Sequence, residues 1–401
     1  MPTVADRIDL LHISPIRRAA ALAEARQDRD IISFGAGAPS LLPPQEVLDE
    51  MIRMLKEEPK AACSYVGTRG FTELRRLISE DFARQEGTKY EPETEVVITN
   101  GATEGIYGIC MSLLGRDDEV ILTDPTYLGF REAAGLAGAR VVLLPVTVDE
   151  GYQPDAEKLK DLITRETKAF VLLSPDNPTG RVVKQEFVKA LVDLAVDHNF
   201  WIVYDSTYRD ILFEENYLKI CSLSGGRDHV AVTGSFSKEA SIPGLRLGYV
   251  MGPPQIADAV EKIKQYTTLA PNTLSQYAMI KFFSGGLKQR YLKETVLPVY
   301  KTRRDFMAKC IKKKLPEART SLPGGAFYFL VDMNHYLKGM RSDDRDFCNR
   351  VLERKSVGLV PGSHFGANGA GHTRVTYVSE PEERIEAGMR AVAEYVSSPT
   401  L

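Results

Sequence analysis

Short apolar runs alternate with amphipathic segments along the chain from about residue 95 to residue 252. In one amphipathic segment, residues 184–198, Phe187, Leu191 and Leu194 recur at the spacing of one helical face. The apolar runs are residues 96–98, 120–122, 141–144, 170–173, 200–204 and 230–232. Strands that are apolar at every position are typical of a parallel sheet covered on both faces. The pattern therefore predicts an α/β fold in which helices sandwich a mostly parallel sheet.

The pattern changes after Pro271. A long helical stretch at 287–314 precedes a closing helix near residue 379, where Ser379 and Glu382 have the spacing of a capping box. The short predicted strands between these helices lie near residues 326–331, 358–360 and 374–378. This third of the chain predicts a small α+β domain, against which we expect the N-terminal arm to pack. The predicted division is a large domain at 46–285 and a small domain made of 1–45 and 286–401.

Charge and cysteine usage narrow the class of protein. The 401 residues carry 51 basic and 54 acidic side chains, and no basic stripe indicates a nucleic-acid partner. Five scattered cysteines lack metal-ligand spacing, which predicts no metal site and a reducing compartment. The first residues lack the pattern of a signal peptide, and no apolar run reaches the ~18 residues of a membrane span. We therefore expect a cytoplasmic protein without a membrane partner.

Small and polar residues follow the predicted strands, at the edge where open α/β sheets bind ligands. Asn100-Gly101-Ala102-Thr103 comes after the first run and opens a helix, whose free N–H groups suit a phosphate. Tyr127 follows the next strand, where an aromatic ring can stack on a planar group. Asn177 lies in a turn that two prolines make rigid. Taken singly, each of these features also fits an ordinary turn or a core tyrosine.

Charged residues complete this edge. Asp205 ends the run 200–204, where burial of a carboxylate is costly unless a cation meets it, and Tyr208 lies three residues on. Lys238 follows the run 230–232, between Ser235 and Arg246. Burial of this lysine would lower its pKa and make its amine a nucleophile. A helix-capping aspartate and a solvated loop lysine are the alternatives.

Together these features match the needs of one cofactor. Pyridoxal 5′-phosphate requires a phosphate cradle, a stacking aromatic ring, a hydrogen-bonding amide, an acid for its ring nitrogen and a nucleophilic lysine. The lysine amine forms a covalent bond with the cofactor's aldehyde. The occurrence of all five features in one chain predicts pyridoxal 5′-phosphate as the cofactor.

The motifs also resemble those of a known family. From Ile32 to the last helix, the chain is similar to fold-type I pyridoxal-phosphate-dependent aminotransferases of class I/II. The resemblance rests on the lysine segment with Gly244, Arg246 and Gly248, on the Asn-Pro-Thr-Gly turn at 177–180, and on the Asp-x-x-Tyr spacing at 205–208. Residues 235–238, 243–246, 360–363 and 365–369 resemble the subgroup of 2-aminoadipate and kynurenine-type aminotransferases.

The resemblance implies roles around the pyridine ring. Lys238 would bind the cofactor covalently and then carry a proton between the substrate and the cofactor. Asp205 would pair with the protonated ring nitrogen. Asn177 and Tyr208 would donate hydrogen bonds to the ring oxygen, and Tyr127 would stack on the ring face.

The resemblance also implies how the phosphate is held. Ala102 and Thr103 would donate backbone N–H groups, with the Thr103 hydroxyl beside them. Ser235 and Arg246 would complete the phosphate site, and Ser237 is a further hydroxyl next to the lysine.

Substrate and subunit contacts follow from other segments. Arg374, in the predicted strand 374–378, would bind the substrate α-carboxylate together with Asn177 and the backbone of Gly37. Tyr65 would reach the phosphate of a neighbouring subunit, and the loop 267–272 would lie at the same boundary. The resemblance therefore implies a homodimer with active sites between its subunits.

These observations predict a ping-pong aminotransferase that moves an amino group from an L-amino acid to a 2-oxo acid. Glutamate and 2-oxoglutarate are the expected common pair. Many aspartate-specific relatives carry a lysine where this chain has Thr103, which weakens the expectation of a dicarboxylate preference. The alternatives are a lyase or synthase on the same fold, and a sensor domain that binds the cofactor without turnover.

Overall fold

The computed structural model describes residues 3–5, 8, 11, 30–214 and 216–398, so residues 12–29 of the predicted N-terminal arm lie outside the described part. The strands of this part are β1 (Ile32–Ser33), β2 (Val96–Thr99), β3 (Glu119–Asp124), β4 (Arg140–Pro145), β5 (Thr167–Leu173), β6 (Trp201–Asp205), β7 (Val230–Ser235), β8 (Gly248–Met251), β9 (Tyr328–Asp332), β10 (Val357–Gly358), β11 (Val360–Pro361) and β12 (His372–Thr376).

Helices surround these strands. They are α1 (Gln45–Glu57), α2 (Pro59–Cys63), α3 (Thr72–Glu86), α4 (Ala102–Leu113), α5 (Leu128–Ala137), α6 (Ala156–Leu162), α7 (Gln185–His198), α8 (Gly226–His229), α9 (Phe236–Glu239), α10 (Pro254–Thr267), α11 (Thr273–Phe283), α12 (Leu287–Tyr291), α13 (Leu297–Lys314), α14 (Asn334–Met340), α15 (Asp344–Lys355) and α16 (Glu382–Ser397). The predicted helical stretch 287–314 is confirmed, with a π-helical segment at Leu292–Val296 between α12 and α13.

The large sheet has seven strands in the order β2-β8-β7-β6-β5-β3-β4. Only β8 runs antiparallel to its neighbours, so the predicted mostly parallel sheet is confirmed. All six predicted apolar runs lie in this sheet, because strands covered by helices on both faces need apolar side chains on both faces. The edge strand β4 is partly exposed. Because β3, β5, β6 and β7 run parallel, their carboxyl ends meet along one edge of the sheet.

The C-terminal third forms smaller sheets. β11, β12 and β9 make an antiparallel sheet, and β1 pairs in parallel with β10. The predicted strand 358–360 is therefore divided between two sheets. Because β1 pairs with β10, residues near the N-terminus reach the C-terminal third. The domain boundaries at residues 46 and 286 stay a prediction.

The predicted capping box at Ser379 and Glu382 is wrong. Helix α16 begins after Pro381, which caps it without a side-chain hydrogen bond. The Ser379 hydroxyl instead donates to the carbonyl oxygen of Ala36, at 2.6 Å. This bond ties the segment that contains Gly37 to the end of β12, which places that segment at the site described below.

A buried ionic cluster lies beside the large sheet. The Lys288 ammonium on α12 lies 2.6 Å from Asp81, 2.9 Å from Asp210 and 2.8 Å from Glu239. Arg209 completes the cluster, 2.8 Å from Asp81. Arg209 and Glu239 directly follow two candidate site residues in the chain. Because buried ion pairs need accurate geometry to offset the cost of desolvation, the cluster fixes these two chain segments relative to each other.

Glu86, at the end of α3, gives a pH-dependent prediction. Its carboxyl group is fully buried and neither oxygen has a hydrogen-bond partner, so burial raises its pKa from 4.5 to about 8. The Glu86 carboxyl group therefore stays protonated in the folded protein at pH values where it has lost its proton in the unfolded chain. The free energy of unfolding therefore falls as the pH rises from about 4.5 to about 8. We expect Glu86→Gln to remove this loss and to raise the free energy of unfolding by about 1–3 kcal/mol at pH 7.5.

Urea unfolding at pH 4.5 and pH 7.5 measures this effect. The matched control is Glu317→Gln on the exposed surface, which should change the free energy of unfolding little at either pH. An equal gain for Glu86→Gln at both pH values would contradict the prediction.

Candidate active site

Lys238 lies on the short helix α9, directly after β7. The Ser235 hydroxyl caps this helix by accepting a hydrogen bond from the Ser237 N–H at 3.2 Å. The Lys238 amine donates to the carbonyl oxygen of Gly37 at 2.6 Å. Burial, and then the positive charges of Arg374 and Arg246, lower the pKa of Lys238 to about 8. The neutral, nucleophilic fraction of this amine near neutral pH is therefore larger than that of an ordinary lysine, whose pKa is about 10.4.

Asp205 ends β6 and is buried. Its carboxylate accepts a hydrogen bond from the Thr207 N–H at 2.9 Å, and burial raises its pKa to about 6. Within residues 30–214 and 216–398, no cationic side chain lies within ion-pair distance of Asp205. A buried carboxylate of this kind needs a positive partner, and a protonated pyridine nitrogen supplies one.

Arg374 lies on β12 with 1% of its surface exposed. It donates to the Asn177 side-chain oxygen at 3.0 Å and to the Gly35 carbonyl oxygen at 2.7 Å, while its buried Nε has no partner. The guanidinium lies 4.3 Å from the ring centre of Tyr328 and 5.0 Å from that of Phe365. No carboxylate of the described residues pairs with it, so Arg374 can receive the carboxylate of a ligand.

A cradle for an anion lies at the start of α4. Gly101 precedes the helix with φ 84° and no side chain caps it, which leaves the Ala102 and Thr103 N–H groups available. A Cβ at Gly101 would lie 2.5 Å from Arg246 Nη2, so this guanidinium lies against the helix start. A Cβ at Gly248 would lie 2.7 Å from the Ala102 nitrogen, and glycine is required there for the same close approach.

Tyr127 and Tyr65 differ in their placement. Tyr127 lies between β3 and α5 and is partly buried, and the N–H of the preceding Thr126 donates to the Phe365 carbonyl oxygen at 2.9 Å. Tyr127 is therefore held near Arg374. Tyr65 is 86% exposed, and its hydroxyl has no hydrogen bond to a described residue. The structure does not bring Tyr65 together with the other predicted site residues.

The sequence interpretation missed one residue at the centre of the site. The Tyr328 hydroxyl lies 2.7 Å from the Tyr208 hydroxyl, and both side chains are buried. A Cβ at Gly37 would lie 2.0 Å from the Tyr328 hydroxyl, so only glycine fits there. The available signal was a tyrosine inside an apolar strand, since a buried phenol needs a polar partner. Its partners, however, lie in distant parts of the sequence.

These residues fit pyridoxal 5′-phosphate by their own chemistry. A cradle of N–H groups beside Arg246 suits a phosphate, and Asp205, which has no cationic partner among the described residues, suits a protonated ring nitrogen. The lowered pKa of the Lys238 amine suits attack on an aldehyde. When bound, the cofactor supplies an electron sink for chemistry at the substrate Cα. The fold and the site define a pyridoxal-phosphate-dependent enzyme of fold type I.

Comparison with known proteins narrows this class. The sequence profile of the family "Aminotransferase class I and II" matches residues 29–392. The chain is 33% identical to an aspartate aminotransferase of Thermotoga maritima, over 96% of this chain and 97% of that protein. It is 30% identical to an arginine–pyruvate transaminase of Pseudomonas aeruginosa, over 92% of this chain and 91% of that protein.

A solved structure of an aminotransferase has the same fold as this chain. The Thermus thermophilus aspartate aminotransferase with maleate superposes with a TM-score of 0.91 at 29% identity, over 98% of this chain and all of that chain. The chain belongs to the class I and II aminotransferase family, and it is a pyridoxal 5′-phosphate-dependent transaminase.

The described part of the chain contains neither a membrane-spanning helix nor a metal-ligand cluster. No helix there is long and apolar enough to cross a membrane. No group of three or more His, Cys, Asp or Glu side chains there could hold a metal ion.

Proposed function

We propose that Lys238 and Arg374 are the centre of the transamination site. One observation carries this proposal: the Arg374 charge lies close enough to Lys238 to depress the pKa of the amine, and Arg374 has no protein carboxylate partner. A substrate carboxylate bound to Arg374 would therefore bring its Cα toward the Lys238 amine. Two parallel hydrogen bonds from the guanidinium would fix the direction of the Cα–H bond that is broken. Lys238 would then take and return the proton.

The proposed roles of the ring contacts follow from hydrogen-bond capacity. The Asn177 side-chain oxygen accepts from Arg374, which leaves its NH₂ group to donate to the cofactor's phenolic oxygen. Tyr208 would be the second donor to that oxygen. Asp205 would keep the ring nitrogen protonated, and Tyr127 would stack on the ring.

The phosphate would be held at the start of α4. The N–H groups of Ala102 and Thr103 and the Arg246 guanidinium support this role. The Ser235 hydroxyl accepts from the Ser237 N–H, so its own hydrogen is left to donate. Ser237 is buried beside it.

Glutamate and 2-oxoglutarate are the proposed common substrate pair, and the second amino donor is proposed to be of the 2-aminoadipate or kynurenine type. The motifs at 360–363 and 365–369 support this subgroup. Phe365 and Tyr328 place aromatic surface beside Arg374, which suits a long or aromatic side chain. A screen of amino donors against 2-oxoglutarate tests this preference, and activity confined to aspartate would contradict it.

We also propose a homodimer in a reducing, cytoplasmic compartment. Tyr65 is 86% exposed and Tyr266 is 91% exposed, with Leu269 also on the surface nearby in the chain. Such exposed side chains support a subunit boundary, where Tyr65 would reach the partner's phosphate. All five cysteines are free thiols, which supports the compartment.

A single-substrate experiment tests the transamination and separates it from a lyase reaction. Purified enzyme mixed with glutamate alone should release one equivalent of 2-oxoglutarate per site and then stop, because the amino group stays on the cofactor. Addition of a 2-oxo acid should restart the reaction. Continuous release of ammonia from glutamate or another donor would instead indicate a lyase and would overturn the proposal.

A further inference from the structure

Tyr328 lies where three parts of the site meet. Its hydroxyl is 2.7 Å from the Tyr208 hydroxyl, and its ring lies 4.3 Å below the Arg374 guanidinium. The Gly37 backbone lies so close to the same hydroxyl that a Cβ on residue 37 would not fit. Both phenols are buried, so the hydrogen bond between them is shielded from water.

The direction of this hydrogen bond follows from the number of hydrogens. A phenol has one hydrogen to donate and can also accept. If Tyr208 donates its hydrogen to the cofactor's phenolic oxygen, it cannot donate to Tyr328, so Tyr328 must be the donor between the two. Burial raises the pKa of Tyr208 well above its usual value, which keeps the Tyr208 hydrogen in place.

We propose that Tyr328 is a positioning residue, whose hydroxyl donates to Tyr208 and thereby directs the Tyr208 hydrogen at the cofactor's phenolic oxygen. This inference rests on the role proposed above for Tyr208. Hydrogen bonds in a chain polarise one another, so donation by Tyr328 makes Tyr208 the stronger donor. The ring of Tyr328 also packs against Arg374. The Tyr328 side chain therefore contacts both Tyr208 and Arg374, the proposed receptor of the substrate carboxylate.

The expected consequence concerns the visible absorbance of the bound cofactor. A donor to the phenolic oxygen stabilises the negative charge of that oxygen. This stabilisation matters most after the nitrogen that joins Lys238 to the cofactor has lost its proton, because the oxygen then has no positive charge beside it. Such a donor therefore lowers the pH at which the absorbance band titrates. In Tyr328→Phe, the midpoint should rise by about 0.3–1 pH unit, as expected for the loss of one neutral hydrogen bond. The ring beneath Arg374 is kept, so the KM for the amino donor should change less than twofold.

A matched substitution controls for the loss of a buried phenol. Tyr377 is fully buried, and its hydroxyl donates to the Ala326 carbonyl oxygen at 2.7 Å and not to Tyr208 or Tyr328. Tyr377→Phe should lower the thermal stability to a similar degree and leave the absorbance midpoint unchanged. Equal midpoint shifts in Tyr328→Phe and Tyr377→Phe would overturn the inference, because the effect would then be a general loosening of the fold.

A double-variant cycle isolates the proposed path. Tyr208→Phe should raise the midpoint by more than Tyr328→Phe does, and Tyr208→Phe/Tyr328→Phe should equal Tyr208→Phe alone. Additive shifts, or no shift in Tyr328→Phe while Tyr208→Phe shifts, would overturn the role of Tyr328 but leave that of Tyr208 intact. No shift in Tyr208→Phe would instead contradict the proposed role of Tyr208.

Discussion

Lys238→Ala should abolish the covalent attachment of pyridoxal 5′-phosphate and lower kcat for transamination by about four orders of magnitude or more. The substitution removes both the nucleophile that binds the aldehyde and the group proposed to carry the substrate proton. The phosphate cradle at the start of α4 contains neither of these groups, so the variant should still bind the cofactor noncovalently. Absorbance spectra before and after borohydride reduction, combined with half-reaction rates, measure the two losses separately.

The control for this experiment is a lysine outside the site. Lys314 pairs with Glu386 at 2.7 Å on the far end of α13. Lys314→Ala should keep both the reducible absorbance band and the activity. Retention of both properties by Lys238→Ala would overturn the assignment of the site.

Because the pKa of Lys238 is lowered, the rate at which the apoenzyme binds the cofactor covalently should depend on pH. Only the neutral amine attacks the aldehyde, and burial together with two nearby guanidinium groups lowers the pKa of Lys238 to about 8. The rate at which apoenzyme forms the reducible complex should therefore rise with pH and level off above about 8. An ordinary surface lysine would still be gaining rate at pH 10, since its pKa is about 10.4.

Arg374→Met should lower kcat/KM for amino acid donors by about 10²–10³-fold, the usual cost of losing one partner of a buried, hydrogen-bonded charge pair. The cofactor should remain covalently bound with its visible band, because Lys238 and the phosphate cradle are intact. Arg374→Lys should recover only part of the activity, since an ammonium group cannot make two parallel bonds to a carboxylate. Steady-state kinetics with glutamate, and with an amine that lacks the α-carboxylate, test this role.

Arg304→Met is the matched control for loss of a buried guanidinium. Arg304 is also almost fully buried but pairs with Glu214, at 2.7 Å. The Arg304→Met substitution should lower the stability of the fold and leave kcat/KM for amino acids near the wild-type value. If Arg374→Met lowered the rates with the carboxylate-free amine as much as those with glutamate, Arg374 would not be the carboxylate receptor.

Much of the large sheet could be predicted because its signal is local. Each strand buried on both faces contains a short apolar run, and the residues that follow the run come to the same edge of the sheet. The placement of Asp205 and Lys238 at this edge could be predicted from the sequence for this reason, and their chemical roles stay proposals. The capping box at Ser379 failed because its spacing is satisfied by chance, and the Ser379 hydroxyl has a better partner in Ala36, far away in the sequence.

The sequence by itself determined the sheet and the cofactor and led to the proposal that Lys238 is the nucleophile, because short-range patterns encode strands, turns and the residue types at their ends. Only the tertiary structure decided which distant groups share the site. Tyr208 meets Tyr328, and Asn177 meets Arg374, across gaps of 120 and 197 residues. The placement of Arg374 beside Tyr328 depends on the antiparallel register of β12 with β9, which sets Arg374 opposite Leu330. Such a register depends on which side chains of the two strands are buried on the same face, and β9 and β12 lie far apart in the sequence.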